Sequence, residues 1–228
     1  AFADRTHTPA LAYDLNVVSA GATHIDSGSK APIAFTTELK IGKQGTASGK
    51  IVVSGDHNRL NLITTNVGNN VLDVTSNYCK VEGLYEGAAY VRGDNCDVDA
   101  TFVGTLYIGL TADTANGTRA RGRVTGALTV IGDNNDVDMV VGGALAIGIA
   151  GSTPANGTRA RGWVAGGRTI AGDNNDVDMV IGGNVSIPAG SDGNTLNGRV
   201  AGALNVAGAN NFVPAKVALA ITNSGANN

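Results

Sequence analysis

Bulky side chains are scarce in this chain. Its 228 residues include one Trp, four Phe and two Met, and aromatic residues make up 4% of the total. Any interior must therefore be thin and built from aliphatic and small side chains. Charge is sparse too, at 15%, with a net charge of -3 and a pI near 5.5. That balance excludes the basic face of a nucleic-acid binder. No apolar run reaches the ~18 residues of a membrane-spanning helix. The opening AFADRTHTPALAYDLNVV has no basic region followed by an apolar stretch, so it reads as carrying no signal peptide in this form. Glycine is plentiful: 33 residues, about twice the usual share, which suits many tight turns.

The sentence GDNNDVDMVVGGALAI (132–147) returns as GDNNDVDMVIGGNVSI (172–187), forty residues later. The underlying unit is shorter. It places an apolar residue, Gly and two further core positions at alternate sites. It reads Tyr85-Gly87-Ala89-Val91, Phe102-Gly104-Leu106-Ile108, Val124-Gly126-Leu128-Val130 and Val141-Gly143-Leu145-Ile147. It continues as Val164-Gly166-Arg168-Ile170, Ile181-Gly183-Val185-Ile187 and Val200-Gly202-Leu204-Val206. Weaker copies lie at Gly49-Ile51-Val53, Asn70-Leu72-Val74 and Val217-Leu219-Ile221. From residue 87 the Gly-to-Gly intervals are 17, 22, 17, 23, 17 and 19.

Alternation predicts strands. A unit this short cannot bury its own apolar face, so neighbours must stack. The expected fold is all-β: a single parallel β-helix of about ten short coils with a period of ~17–23 residues, paired into ~40-residue double coils. Residues 1–45 read as a non-repeating cap or arm, 46–222 as the β-helix and 223–228 as a tail.

Stacking the units predicts columns. One inward column reads Val81, Val98, Ala120, Val137, Ala160, Val177, and the next Ala100, Gly122, Met139, Gly162, Met179, Gly198. Met over Gly over Met is expected to keep the interior filled. Two outward columns alternate in sign: Asp97, Arg119, Asp136, Arg159, Asp176, and Asp99, Arg121, Asp138, Arg161, Asp178. Opposite charges ~4.8 Å apart attract, and a one-coil slip would set like on like. The forty-residue period is thus one acidic and one basic coil, a structural ladder with no catalytic role expected.

GDNNDVD has oxygen ligands but neither the Gly and terminal Glu of an EF-hand nor the Ca²⁺-binding β-roll pattern. Asn95, Asn134 and Asn174 are expected to stack as an Asn ladder instead, and neither a metal nor a cofactor is expected. NGT at Asn116 and Asn156 matches a glycosylation sequon, but it recurs with the repeat, so turn geometry explains it first. His7, His24 and His57 show no metal-ligand spacing. Cys79 and Cys96 fall about one coil apart, as buried thiols or as a disulfide between stacked coils.

Three features go beyond stacking. The segments 109–116, 148–156 and 188–194 enlarge the same corner, the place where solenoids often carry binding loops. Small residues follow each Gly on the outward side. Ala127, Thr129, Ala144, Ala146, Thr169, Asn184 and Ser186 form a flat, uncharged face suited to docking. Pro214 is expected to block the last edge.

Regular Gly-rich repeats of this kind resemble parallel β-helix surface proteins, such as phage tail spikes, capsid-bound fibres, adhesins and filament subunits. The resemblance is one of fold, over residues 47–221. It implies a non-enzymatic structural or recognition element of a virion or cell surface, outside the cell. Its partners would be copies of itself, other structural proteins or a glycan, with no nucleic acid and no membrane insertion. An ice-binding protein is the first alternative, although a repeated Thr-x-Thr row is missing. A polysaccharide-cleaving β-helix enzyme is the second.

Overall fold

A computed structural model describes residues 15–18, 23–26, 51–54, 58–63 and 72–228. Every regular element among them is a strand, and all pair in parallel as a solenoid of about nine turns in two sheets. Each regular turn supplies one long and one short strand. Asp97–Phe102, Arg119–Val124, Asp136–Val141, Arg159–Val164, Asp176–Ile181 and Thr195–Val200 lie in the ten-stranded sheet. Leu106–Ile108, Leu128–Val130, Leu145–Ile147, Arg168–Ile170, Val185–Ile187 and Leu204–Val206 lie in the eleven-stranded one. Hydrophobic alternation decides which side faces in: every one of these short strands buries its first and third residues.

The core runs as columns between the sheets. Val81, Val98, Ala120, Val137, Ala160 and Val177 are all fully buried. Tyr85 stacks on Phe102 of the next coil with ring centroids 5.3 Å apart, so two of the few aromatics share one column. Each buried aliphatic side chain contributes roughly 1.5–3 kcal/mol.

The mid-unit glycines stack in a column of their own. Backbone hydrogen bonds link Gly126 to Gly104, Gly143 to Gly126, Gly166 to Gly143 and Gly183 to Gly166, at 2.9–3.1 Å. A Cβ on Gly143 would lie 2.7 Å from the Gly126 carbonyl oxygen, and one on Gly166 would lie 2.8 Å from that of Gly143. The backbone passes too close there for any side chain, and the repeat keeps Gly for that reason.

A second set of glycines corrects the Met-over-Gly expectation. Met139 and Met179 are buried and register with Gly122, Gly162 and Gly198. The glycines, however, are exposed, with φ of 112°, 114° and 94°. A Cβ on Gly162 would strike the Met139 carbonyl oxygen at 2.3 Å. These glycines serve a positive φ and a close approach to the preceding backbone, with the pairing still one-to-one, and do not make interior room for methionine.

Both ends of the solenoid extend past their expected boundaries. Leu15–Val18 and Thr23–Asp26, inside the segment expected not to repeat, pair with Ile51–Ser54 and Asn58–Ile63. At the other end Ile221–Asn223 pairs with Leu204–Val206, and the Asn211 N–H donates to Asn228 Oδ1 at 2.7 Å. Residues 223–228 therefore complete a coil. Pro214 acts backwards, not forwards. The register places it opposite Asn197, where a regular coil would donate to the Leu196 carbonyl. Pro has no N–H, so Ala215 donates there instead, at 3.1 Å. The long strand shrinks to Lys216–Val217.

Candidate docking face and its flanking ladders

On the long-strand face the register sets Arg119 between Asp97 and Asp136, Arg159 between Asp136 and Asp176, Arg121 between Asp99 and Asp138, and Arg161 between Asp138 and Asp178. Arg119 Nε lies 3.0 Å from Asp97 Oδ1, and Arg159 Nε lies 3.7 Å from Asp176 Oδ2. Arg161 crosses to the other column, with Nη2 3.0 Å from Asp136 Oδ1. The Arg119 hydrogen bond, against partial burial, holds the Asp97 carboxyl below the usual range. Three of the four arginines thus pair with an aspartate, while Arg121 alternates with acids by register alone. The side chains are regular and largely exposed, and no single irregular cluster of acid and base forms among them.

The corner that joins each short strand to the next long one carries two side-chain ladders. The expected one is displaced by a residue. Asn95, Asn134 and Asn174 are exposed, with φ of 55°, 57° and 57°. They are the left-handed residues of the turn, where Gly117, Gly157 and Gly193 stand in the intervening coils. The following residue points inward and builds the ladder. Thr118 N–H donates to Asn135 Oδ1, Thr158 to Asn175, Asn175 to Asn194 and Asn194 to Asn211, each at 2.9 Å. Buried amides need partners, and each Oδ1 takes the amide of the coil before.

The second ladder, on the outside of this corner, was not foreseen. Each Oδ1 accepts the N–H of the equivalent residue one coil later. The chain of donors runs Asp94 to Asn77, Asn116 to Asp94, Asp133 to Asn116, Asn156 to Asp133, Asp173 to Asn156 and Asp192 to Asp173, at 2.7–2.8 Å. GDNN and ANGT are thus one corner written two ways, and aligning Asp133 with Asn116 would have shown it. The sequon residues Asn116 and Asn156 and the Asp of GDNN serve as rungs here.

The short-strand face is different in kind. Its outward column reads Tyr90, Tyr107, Thr129, Ala146, Thr169, Ser186, Asn205, Thr222 by register. From Tyr90 onward it carries no charge; the residue before Tyr90 in the register is Asp73, buried and paired with Arg92. Tyr90 and Tyr107 stack face to face, with centroids 4.8 Å apart and planes 4° apart. Beyond them the face sinks into an open depression of about 550 Å³ that reaches Thr222. All seven residues expected to dock line it: Ala127, Thr129, Ala144, Ala146, Thr169, Asn184 and Ser186. Thr129 and Thr169 are separated by Ala146, so no continuous threonine row stands there.

Beneath this face lies a group that repeat logic passed over. Arg168 occupies the inward position held by Leu145 and Val185 in the adjoining coils. It is 3% exposed, touches Met179 Sδ through Nη1, and leaves Nε and Nη2 without hydrogen-bond partners. Burial pushes its pKa down to about 9.

Cys79 and Cys96 are buried thiols, not joined to each other. His7 and His57 lie outside the described residues. His24 falls in the strand Thr23–Asp26, its side chain outside the description. No family model, curated protein or solved structure matches this chain.

Proposed function

We propose that this chain is a non-enzymatic structural or recognition element of a cell or virion surface that self-associates through its short-strand face. The supporting observation is the division of that face: a stacked tyrosine pair at one end and a depression lined by small residues over the rest. Two copies related by a two-fold axis perpendicular to the solenoid would run antiparallel, so the tyrosines of each would lie over the depression of the other. Tyr90 to Thr222 is seven coil steps of about 4.8 Å, roughly 34 Å. A strip that long and three residues wide is small for an interface, and the expected association is weak. Small side chains lose little rotamer entropy on docking, and tyrosine adds large contact area. The charge-laddered opposite face keeps the pair soluble.

The test is light scattering over a concentration series, with wild type and the double variant Ala144→Arg/Ser186→Arg. Wild type should approach twice the monomer mass, and the variant should stay monomeric with an unchanged unfolding midpoint. A wild type that remains monomeric at high concentration, or a variant that associates equally well, would overturn the reading.

A further inference from the structure

The two cysteines occupy one inward corner column. Lys80 pairs with Asp97, so Cys79 and Cys96, each one residue earlier, stack directly. The Asp97 N–H donates to the Cys79 carbonyl at 2.8 Å. Parallel neighbours of this kind hold their Cα atoms about 4.8 Å apart, inside the ~4.4–6.8 Å that a disulfide spans. The thiols already share a neighbour. Ser76 Oγ lies 3.2 Å from Cys79 Sγ, and the Cys96 thiol donates to the Ser76 carbonyl at 3.4 Å. The next members of the column are Thr118, Asn135, Thr158, Asn175, Asn194 and Asn211. All but Thr158, whose hydroxyl has no partner, hold an adjoining coil through the side chain, starting with Cys96 N–H to Thr118 Oγ1 at 3.3 Å. Between Cys79 and Cys96 the sequence offers two thiols where that ladder has amides and hydroxyls.

We propose that Cys79 and Cys96 form an inter-coil disulfide that replaces this rung when the protein meets a low-molecular-weight disulfide. One thiolate attacks the reagent, forming a mixed disulfide and releasing one small thiol. The second thiolate attacks the protein sulfur of that bond and releases the other. The protein loses two thiol hydrogens, and the reagent is reduced to two thiols. In the closed fold the exchange is slow. The neighbouring Cys79 thiol, and then burial, hold the Cys96 thiol well above its ordinary range, so little thiolate is available until the coil opens. Once formed, the bond clasps the coil that contains Ala89–Val91 to the one after it. This inference does not depend on the self-association of the other face.

The full chain, reduced and unfolded, would be refolded in a glutathione redox buffer, then alkylated under denaturing conditions and weighed intact. The expected product has two unreactive sulfurs, a mass lower by two hydrogens and no glutathione adduct. Its unfolding midpoint should exceed that of the same sample with reductant by about 5 °C. In Cys79→Ser and in Cys79→Ala, reductant should leave the midpoint unchanged. Two alkylated thiols, a persistent glutathione adduct, a bridge between two molecules, or a bridged monomer with a midpoint no higher than the reduced one would each overturn the proposal.

Discussion

The two outer faces of this solenoid grow from the same coils, yet they follow different rules. The long-strand face alternates acid and base from one coil to the next, and its pairs are open to water. The short-strand face bears no charge from Tyr90 to Thr222 and keeps its one arginine of the repeat, Arg168, underneath. Exposed surface ion pairs in general contribute only ~0.2–1 kcal/mol each. The charged face therefore adds little to stability and much to register, because it penalises a one-coil slip. The uncharged face has no such device, and it is the face proposed for self-association.

Four changes would break or sharpen this contrast. The largest effect is expected from Gly162→Val on the long-strand face. A side chain there meets both a φ of 114° and the Met139 carbonyl, a combined cost of about 4 kcal/mol. A shift in the urea midpoint corresponding to under about 1 kcal/mol would mean that the backbone at residue 162 relaxes freely.

Arg168→Leu should go the other way. It restores the residue type found at Leu145 and removes a buried charge without a carboxylate partner, for a gain of about 2 kcal/mol at pH 7. Its folded pKa, about 9, is lower than the unfolded value. The unfolded chain thus binds more protons between those two values, and wild-type stability rises with pH there through this group. The gap between variant and wild type should therefore narrow above about pH 9. A variant less stable than wild type would show that Arg168 has a partner in solution.

Arg159→Asp should cost about 1 kcal/mol more than Arg159→Ala, since it sets three acids in one column between Asp136 and Asp176. Added salt should shrink that difference. Equal urea midpoints would mean the ladder does not act on register.

The smallest effect concerns acid. Asp97 is held below the ordinary carboxylate range, chiefly by Arg119. Its contribution is present above the unfolded value near ~3.9 and is lost as pH falls toward the folded one. Partial exposure limits it to below about 0.5 kcal/mol. Arg119→Gln should remove that slope from the stability profile below pH ~4, and an unchanged profile would count against the pair.

Much of this molecule was legible in one dimension. Alternation at Val124-Gly126-Leu128-Val130 and its copies marks strands, and the intervals between glycines define coils. The order of Asp136, Arg159 and Asp176 then follows by stacking, because a parallel in-register solenoid turns sequence period directly into spatial neighbours. What stayed hidden was direction. Nothing in GDNN says that its third residue takes the left-handed conformation and points out while the fourth points in, so the Asn ladder was placed one position early. Nor does the repeat say that Gly162 is kept for a positive φ against the Met139 carbonyl, or that Asp133 and Asn116 are rungs of one outer ladder. Those outcomes depend on where the neighbouring coil puts its carbonyls and amides. The sequence by itself determined strand, period and register, since these rest on side-chain patterning. Only the tertiary structure decided which way each corner residue turns, since that rests on the close approach of one backbone to the next.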